Sequence, residues 1–216
     1  MSKTPEHLMW IDLESTGLDD QLDEIIEVGA VVTDLDLNIL GDFETIVLPT
    51  WSGWERLRNN TFVTEMHLAN GLQYELVGAS ETEIPGPFIA DAERGLLVEL
   101  DEIGLGDASF YLAGSGVSHF DDDMLAHWMP TLFSRLHYAA IDMGTMRRFY
   151  KMSTGSDLVT VNDDKTHRSM DDVRCHLAEA RAFRAMFRRI GIQIADGLWL
   201  PPSDLPPCTV DPEVIR

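Results

Sequence analysis

Asp12 and Glu14 stand two residues apart in the apolar run Trp10-Ile11-Asp12-Leu13-Glu14-Ser15-Thr16-Gly17. A strand has a side-chain period of two, so both carboxylates project from one face while Ile11 and Leu13 take the other, which can be buried. Two carboxylates held side by side repel each other unless a cation lies between them. Hard divalent cations such as Mg²⁺ or Mn²⁺ prefer oxygen donors of this kind. Alone, D-x-E equally describes a half-exposed edge strand with two solvated acids. Chemistry requires further acids and a base that the fold carries to the same place.

Two later stretches offer them. In Phe120-Asp121-Asp122-Asp123, Asp121 opens the stripe Asp121, Met124, Leu125, Trp128 at i, i+3, i+4, i+7, so it faces inward from a helix start. Asp122 and Asp123 fall on outer faces, where acids in a first turn favour the helix dipole. In His167-Arg168-Ser169-Met170-Asp171-Asp172, Ser169 reads as an N-cap, and Asp172 reads either as the acidic partner of a capping box or as a ligand. His167 precedes that helix, as a surface loop histidine or as a base leaning over the same pocket. Four carboxylates can hold two divalent cations close together, and a histidine beside the attacking water takes its proton at neutral pH. That is the equipment for phosphodiester hydrolysis.

The elements that must position these residues are legible from periodicity and punctuation. Strands are expected at 8–13, 25–32 and 39–48, joined by short turns as an antiparallel meander that Pro49 ends. Residues 51–76 have helical tendency, with Gly71 as a candidate C-cap. A Gly- and Pro-rich loop follows at 78–89, then a helix at 90–103. Further expectations are a strand at 110–113, a helix from Asp121 ended by Pro130, a strand at 137–141, a helix at 142–151, a polar loop at 153–166 and a long helix at 169–190. Residues 1–190 form one domain, and 191–216 carry five prolines and read as an extended tail. A meander followed by alternating helices and strands is a mixed α/β domain.

Composition narrows the setting. The chain has 216 residues with 44% hydrophobic content, enough for a sizeable core. No apolar run approaches a membrane span, the N-terminal stretch lacks a secretory pattern, and two cysteines are too few for a disulfide framework or a Cys-based zinc site. A cytoplasmic setting is the expectation. The net charge of −21, from 37 acidic and 16 basic residues, repels long nucleic acids.

The D-x-E strand, the later Phe120-Asp121 and the H-x-x-x-x-D of His167 and Asp172 resemble the three motifs of the DEDDh 3′-to-5′ exonucleases. Within them the chain is most similar to the oligoribonuclease family. The similarity is carried by Trp10 to Glu14, Thr16 to Asp19, Ile25-Ile26-Glu27, Thr33-Asp34, Leu37 to Leu40, Met129-Pro130, His137-Tyr138, Ile141-Asp142 and His167 to Arg174. The resemblance implies a ribonuclease H-like fold, a mixed five-stranded sheet flanked by helices. It implies hydrolysis of very short RNA, dinucleotides above all, to 5′-mononucleotides with two divalent cations, Mg²⁺ or Mn²⁺. By the same resemblance Asp12, Glu14, Asp121 and Asp172 are metal ligands and His167 the general base. Leu18 would wedge against a base, Phe62 takes the place of a stacking tryptophan, and His67 matches a family histidine. Family members are homodimers in which the His-Tyr pair, here His137-Tyr138, reaches the partner's site.

There are departures. Where the family has an arginine after the His-Tyr pair this chain has Ala139, and Gly144 stands where the family has a serine; both family residues help cap the 5′-phosphate. The segment Gly114 to Phe120 is one residue longer. Shallow length discrimination over two to about five nucleotides is therefore expected, since a lost charge-assisted bond is worth roughly 1.5–3 kcal/mol. Two other readings are a nuclease for short single-stranded DNA or another small phosphodiester, and a non-catalytic dimeric nucleotide-binding protein on the same fold.

Overall fold

Five strands, β1 (His7–Ser15), β2 (Ile25–Asp34), β3 (Ile39–Ile46), β4 (Phe110–Gly114) and β5 (Leu136–Asp142), form one sheet in the order β3-β2-β1-β4-β5. The computed structural model describes residues 4–159 and 166–195. β1 pairs antiparallel with β2, and β2 with β3, as the short turns between them require. β1 and β4 run parallel, as do β4 and β5, with helical crossovers between them. The sheet is therefore mixed, and its central strand is the one that carries Asp12 and Glu14.

The alternation in β1 sets the two layers. Met9, Ile11 and Leu13 point into a core with Leu96 and Leu100 of α4 (Ile89–Glu102), Met124 and Leu125 of α5 (Phe120–Trp128) and Leu132 of α6 (Pro130–Phe133). Leu8 and Trp10 point the other way, onto Met143 of α7 (Met143–Thr154) and Val173, Leu177 and Phe183 of α8 (Ser169–Ala195). Buried Trp10 Nε1 donates to Thr33 Oγ1 at 3.0 Å, so the largest core side chain keeps its polar atom satisfied. Asp12 and Glu14 continue the Leu8–Trp10 face, beyond the apolar packing and against the start of α8.

Several expectations differ from the outcome. The helical stretch at 51–76 is three helices, α1 (Trp51–Asn59), α2 (Thr61–Ala69) and α3 (Leu72–Ser80). Asn60 breaks the first join because its side chain caps Val63 N–H at 3.3 Å. Asn70 and Gly71 break the second: Asn70 caps the C-terminus of α2, and Gly71 follows at φ +88° in the left-handed region that glycine adopts freely. The expected loop at 78–89 shortens to 81–88, since α3 continues to Ser80 and α4 opens at Ile89, where Asp91 accepts Phe88 N–H at 3.1 Å. Pro130 closes α5 as expected and also opens the short α6, because its missing N–H costs nothing at a first helical position. α8 runs to Ala195, five residues past the expected end at 190. Residues 160–165 of the polar loop and 196–216 of the tail lie outside the described residues.

Candidate active site

The parallel ladder between β1 and β4 ends at Trp10 and Ala113. β1 runs on to Ser15, and the chain after β4 turns into α5, so a cleft opens at the carboxyl ends of the parallel strands, where α/β sheets hold ligands. Asp121, at the start of α5, fills part of it. Burial pushes its carboxyl up to about 7; the charges of Asp142 and Asp122 add to this, while the N–H groups of Leu13 and of Asp121 itself act against it. The Leu13 contact sets the Asp121 carboxyl between the positions of Asp12 and Glu14 on β1.

The other wall is the first turn of α8. One ligand atom from each of Glu14, His167 and Asp172 lies within 4.8 Å of the others. Glu14 and Asp172 are buried, while Asp12 and His167 are half-buried. His167 holds φ at +49°, an uncommon conformation for a residue with a Cβ. The N-cap expected of Ser169 is supplied from elsewhere. Ser169 N–H donates to Glu27 Oε2 at 2.8 Å, and its hydroxyl packs against Gly29 of β2. Arg168 donates to Glu27 Oε1 at 2.8 Å and forms a fork with Glu75 of α3 at 2.9 and 3.0 Å. An acid in the β-branched run of β2 thus starts the helix that carries Asp172.

His67 is fully buried on α2 with Nε2 3.8 Å from Glu14 Oε2. Burial lowers its pKa below the ordinary histidine range; the Ser15 backbone and Glu27 oppose this, and His167 and Arg168 add to it. The ring is neutral at pH 7 and does not compete with a cation for the carboxylates. Leu18 and Phe62 are 85% and 75% exposed, available to a flat ligand. The Leu18 loop is anchored by Asp23, which accepts from Thr16 Oγ1 at 2.9 Å, Asp19 N–H at 3.0 Å and Arg56 of α1 at 2.6 and 2.9 Å. Burial pushes the Asp23 carboxyl up, but Arg56, Asp19 and Thr16 together hold it below the ordinary range. Asn60 donates to Thr16 O at 3.4 Å and links that loop to the start of the Phe62 helix.

Tyr138 is 94% exposed and joins none of these contacts among the described residues. It stands on a bulge: Tyr111 and Ala113 of β4 pair with His137 and Ile141, so three residues of β5 face one of β4. Its ring packs on His137 at 4.4 Å between centroids. Asp142 caps α7 by accepting Thr145 N–H at 2.7 Å and ties it to the α5 loop by accepting Gly116 N–H at 3.0 Å. Asn70, Arg168, Glu27 and Asp23 were not singled out for the site from the sequence. Glu27 alone had a readable signal, a charged residue inside an apolar strand.

The converging carboxylate oxygens of Glu14 and Asp172, with the His167 imidazole beside them, fit a hard divalent cation.

Comparison with known proteins agrees with this geometry. Residues 9–180 match the exonuclease family RNase_T. The oligoribonuclease of Photorhabdus laumondii is 32% identical over 187 residues, covering 87% of this chain and 98% of that protein. That of Streptomyces coelicolor is 35% identical over 184 residues, covering 83% and 86%. Among solved structures, exonuclease I of Methylocaldum szegediense superposes with a TM-score of 0.57 at 19% identity over 83% of this chain. E. coli exonuclease I with a dT13 oligonucleotide superposes with a TM-score of 0.58 at 16% identity over 86%. The chain spans only 40% and 42% of those two exonucleases, which share its ribonuclease H-like fold. This chain belongs to the RNase_T exonuclease family and, within it, to the oligoribonucleases.

Proposed function

We propose that this exonuclease degrades short single-stranded RNA from the 3′ end and releases 5′-mononucleotides. Asp12, Glu14, Asp121 and Asp172 would hold two divalent cations, Mg²⁺ or Mn²⁺, and His167 acts as general base. Leu18 and Phe62 bind the substrate, whereas His67, expected to do so, is fully buried beside Glu14 instead. Tyr138 completes the site of a second copy in a cytoplasmic homodimer. The catalytic domain extends through α8 to Ala195, past the expected boundary at 190. No helix among the described residues is long and apolar enough to cross a membrane. The observation that carries the reading is the meeting of Glu14, His167 and Asp172 within 4.8 Å beside Asp121, from three elements far apart in sequence.

Cations bound there would offset the charge of the scissile phosphodiester and make water a better nucleophile. The rest falls to the protein. His167 accepts the proton of the attacking water at a ring nitrogen. Leu18 and Phe62 bracket bases, with stacking worth about 1–3 kcal/mol per base. The family serine absent at Gly144 has neighbours in its place: a Cβ there would stand 3.0 Å from Ser115 Oγ, 3.1 Å from Asp142 Oδ1 and 3.3 Å from Arg148 Nη1. Ser115 belongs to the lengthened segment after β4. The Asp142 carboxylate beside this hydroxyl and guanidinium opposes an anion there, so the shallow length discrimination expected from Ala139 and Gly144 stands.

The test is turnover of labelled RNA and DNA, from two to about twenty nucleotides, by purified protein with Mn²⁺, resolving every product. Stepwise release of 5′-mononucleotides from short RNA is expected. Inertness toward both polymers overturns the reading, and faster cleavage of DNA than RNA at every length replaces it with the DNA nuclease.

A further inference from the structure

The turn between α2 and α3 reaches across to His167. Asn70 Nδ2 donates to the backbone carbonyl of His167, 97 residues away. The same amide nitrogen lies 3.5 Å from His67 Nδ1, and Asn70 Oδ1 accepts Leu72 N–H at 3.0 Å. One carboxamide therefore touches both histidines of the site and opens α3. His167 needs an external hold, because its left-handed φ of +49° is disfavoured for an L-residue. On its other side, Arg168 is pinned to Glu27 and Glu75, which fixes the peptide that follows but leaves the His167 carbonyl to Asn70.

We infer that Asn70 is the positioning residue for His167, so that the helix presenting Phe62 and His67 and the segment presenting the base are set by one side chain. The inference rests on the proposed role of His167. Asn70 touches no reacting atom; it acts through the peptide plane that orients the imidazole. A small displacement of a base costs rate rather than ground-state binding, since a misplacement on the order of 1 Å lowers turnover roughly 100-fold.

Asn70→Asp keeps the shape and the acceptor for Leu72 N–H but sets an acceptor against the His167 carbonyl. Asn70→Ser keeps an acceptor too and is too short to reach His167. Each should lower kcat roughly 10- to 100-fold with KM moved by less than about threefold. In a His167→Ala background either substitution should cost less than about twofold more, because the residue it orients is gone. Mn²⁺ affinity, measured by calorimetry, should stay with the wild type. The amide resonance of Arg168 shares a peptide unit with the His167 carbonyl, so it should shift in both variants of metal-free protein whether or not the enzyme turns over. An unmoved Arg168 amide overturns the inference, as does an equal loss of kcat with and without His167. If Asn70→Asp fails to fold, Asn70→Ser decides by the same measurements. A wild type inert toward every substrate, with the Arg168 amide still shifting in the variants, removes the nuclease reading and leaves the hold of Asn70 on His167 standing.

Discussion

Asp121 couples the site to pH through its own burial. Its carboxyl is raised from an ordinary 3.8 to about 7 in the metal-free fold, so the folded state holds that proton more tightly than the unfolded chain. Stability from this group is fully present below the unfolded pKa and is lost as pH rises from about 4 through about 7, by on the order of a few kcal/mol. Asp121→Asn keeps an oxygen for Leu13 N–H and removes the charge. It should therefore raise the melting temperature of chelator-treated protein at pH 8, with the gain shrinking toward pH 5. Turnover should be abolished in the same variant. A wild type and variant that melt alike at pH 8 would mean that the carboxyl is not held in the way described. His167→Ala should reduce kcat roughly 10²- to 10⁴-fold, the usual range for a lost base, without comparable loss of Mn²⁺ binding. At this scale the acids were legible because each breaks a pattern, a charge inside an apolar strand or stripe. Asn70 was not, since it reads as an ordinary end-of-helix asparagine and its partner is 97 residues away.

Between elements, the closest approach that matters is β2 against the first turn of α8. A Cβ added at Gly29 would lie 2.6 Å from Met170 N and 2.7 Å from Ser169 C, both backbone atoms that cannot swing aside. Gly29→Ala should push the start of α8 off the sheet, carrying Asp172 and His167 with it. Stability should fall by roughly 1–3 kcal/mol, as for other overpacked positions, and kcat should fall much further than the loss of folded protein explains. Near-normal kcat in folded Gly29→Ala would show that the α8 start tolerates displacement. Strands and long helices were readable here because alternation and the 3.6 period are local. The break after α2 was marked by Gly71, whereas the one at Asn60 was missed because a polar residue inside a helical stretch looks the same whether it faces solvent or turns back to cap. The capping of α8 by Glu27 was also hidden, since it joins residues 142 apart.

For the whole molecule, the net charge of −21 governs which polymers approach. A strand of many phosphates meets repulsion over most of the surface, and short substrates meet mainly the cleft. The dependence of kcat/KM on salt should be shallow for two- to about five-nucleotide RNAs, and twenty-nucleotide RNAs should be poor substrates. Rapid, steeply salt-dependent degradation of the long strands would reveal a basic track. Tyr138 gives a second test at this scale. Under the proposed pairing of two copies, sedimentation should report a dimer and Tyr138→Ala should weaken turnover without dissociating it; a monomer, or full activity in that variant, would overturn the proposal. A mixed five-stranded sheet was foreseen from family resemblance, but its strand order was not, because parallel pairing of β1 with β4 depends on crossovers that no local pattern encodes.

The helices α1 to α3 stand apart from both main layers. Leu72 and Leu76 of α3 anchor them in a satellite cluster with Ile26 of β2 and Leu48, and Leu57 of α1 and Val63 of α2 are buried as well. Most of their other ties are polar: Arg56 to Asp23, Thr50 to Glu24, Glu75 to Arg168 and Asn70 to His167. Such a unit opens at lower free energy than the layers beneath it. Because it carries Phe62 and His67 and is tied to His167 and Arg168, its opening would loosen both the cleft and the hold on the start of α8. In native-state hydrogen exchange the amides of α1–α3 should therefore exchange together and ahead of those of β1 and the first half of α8.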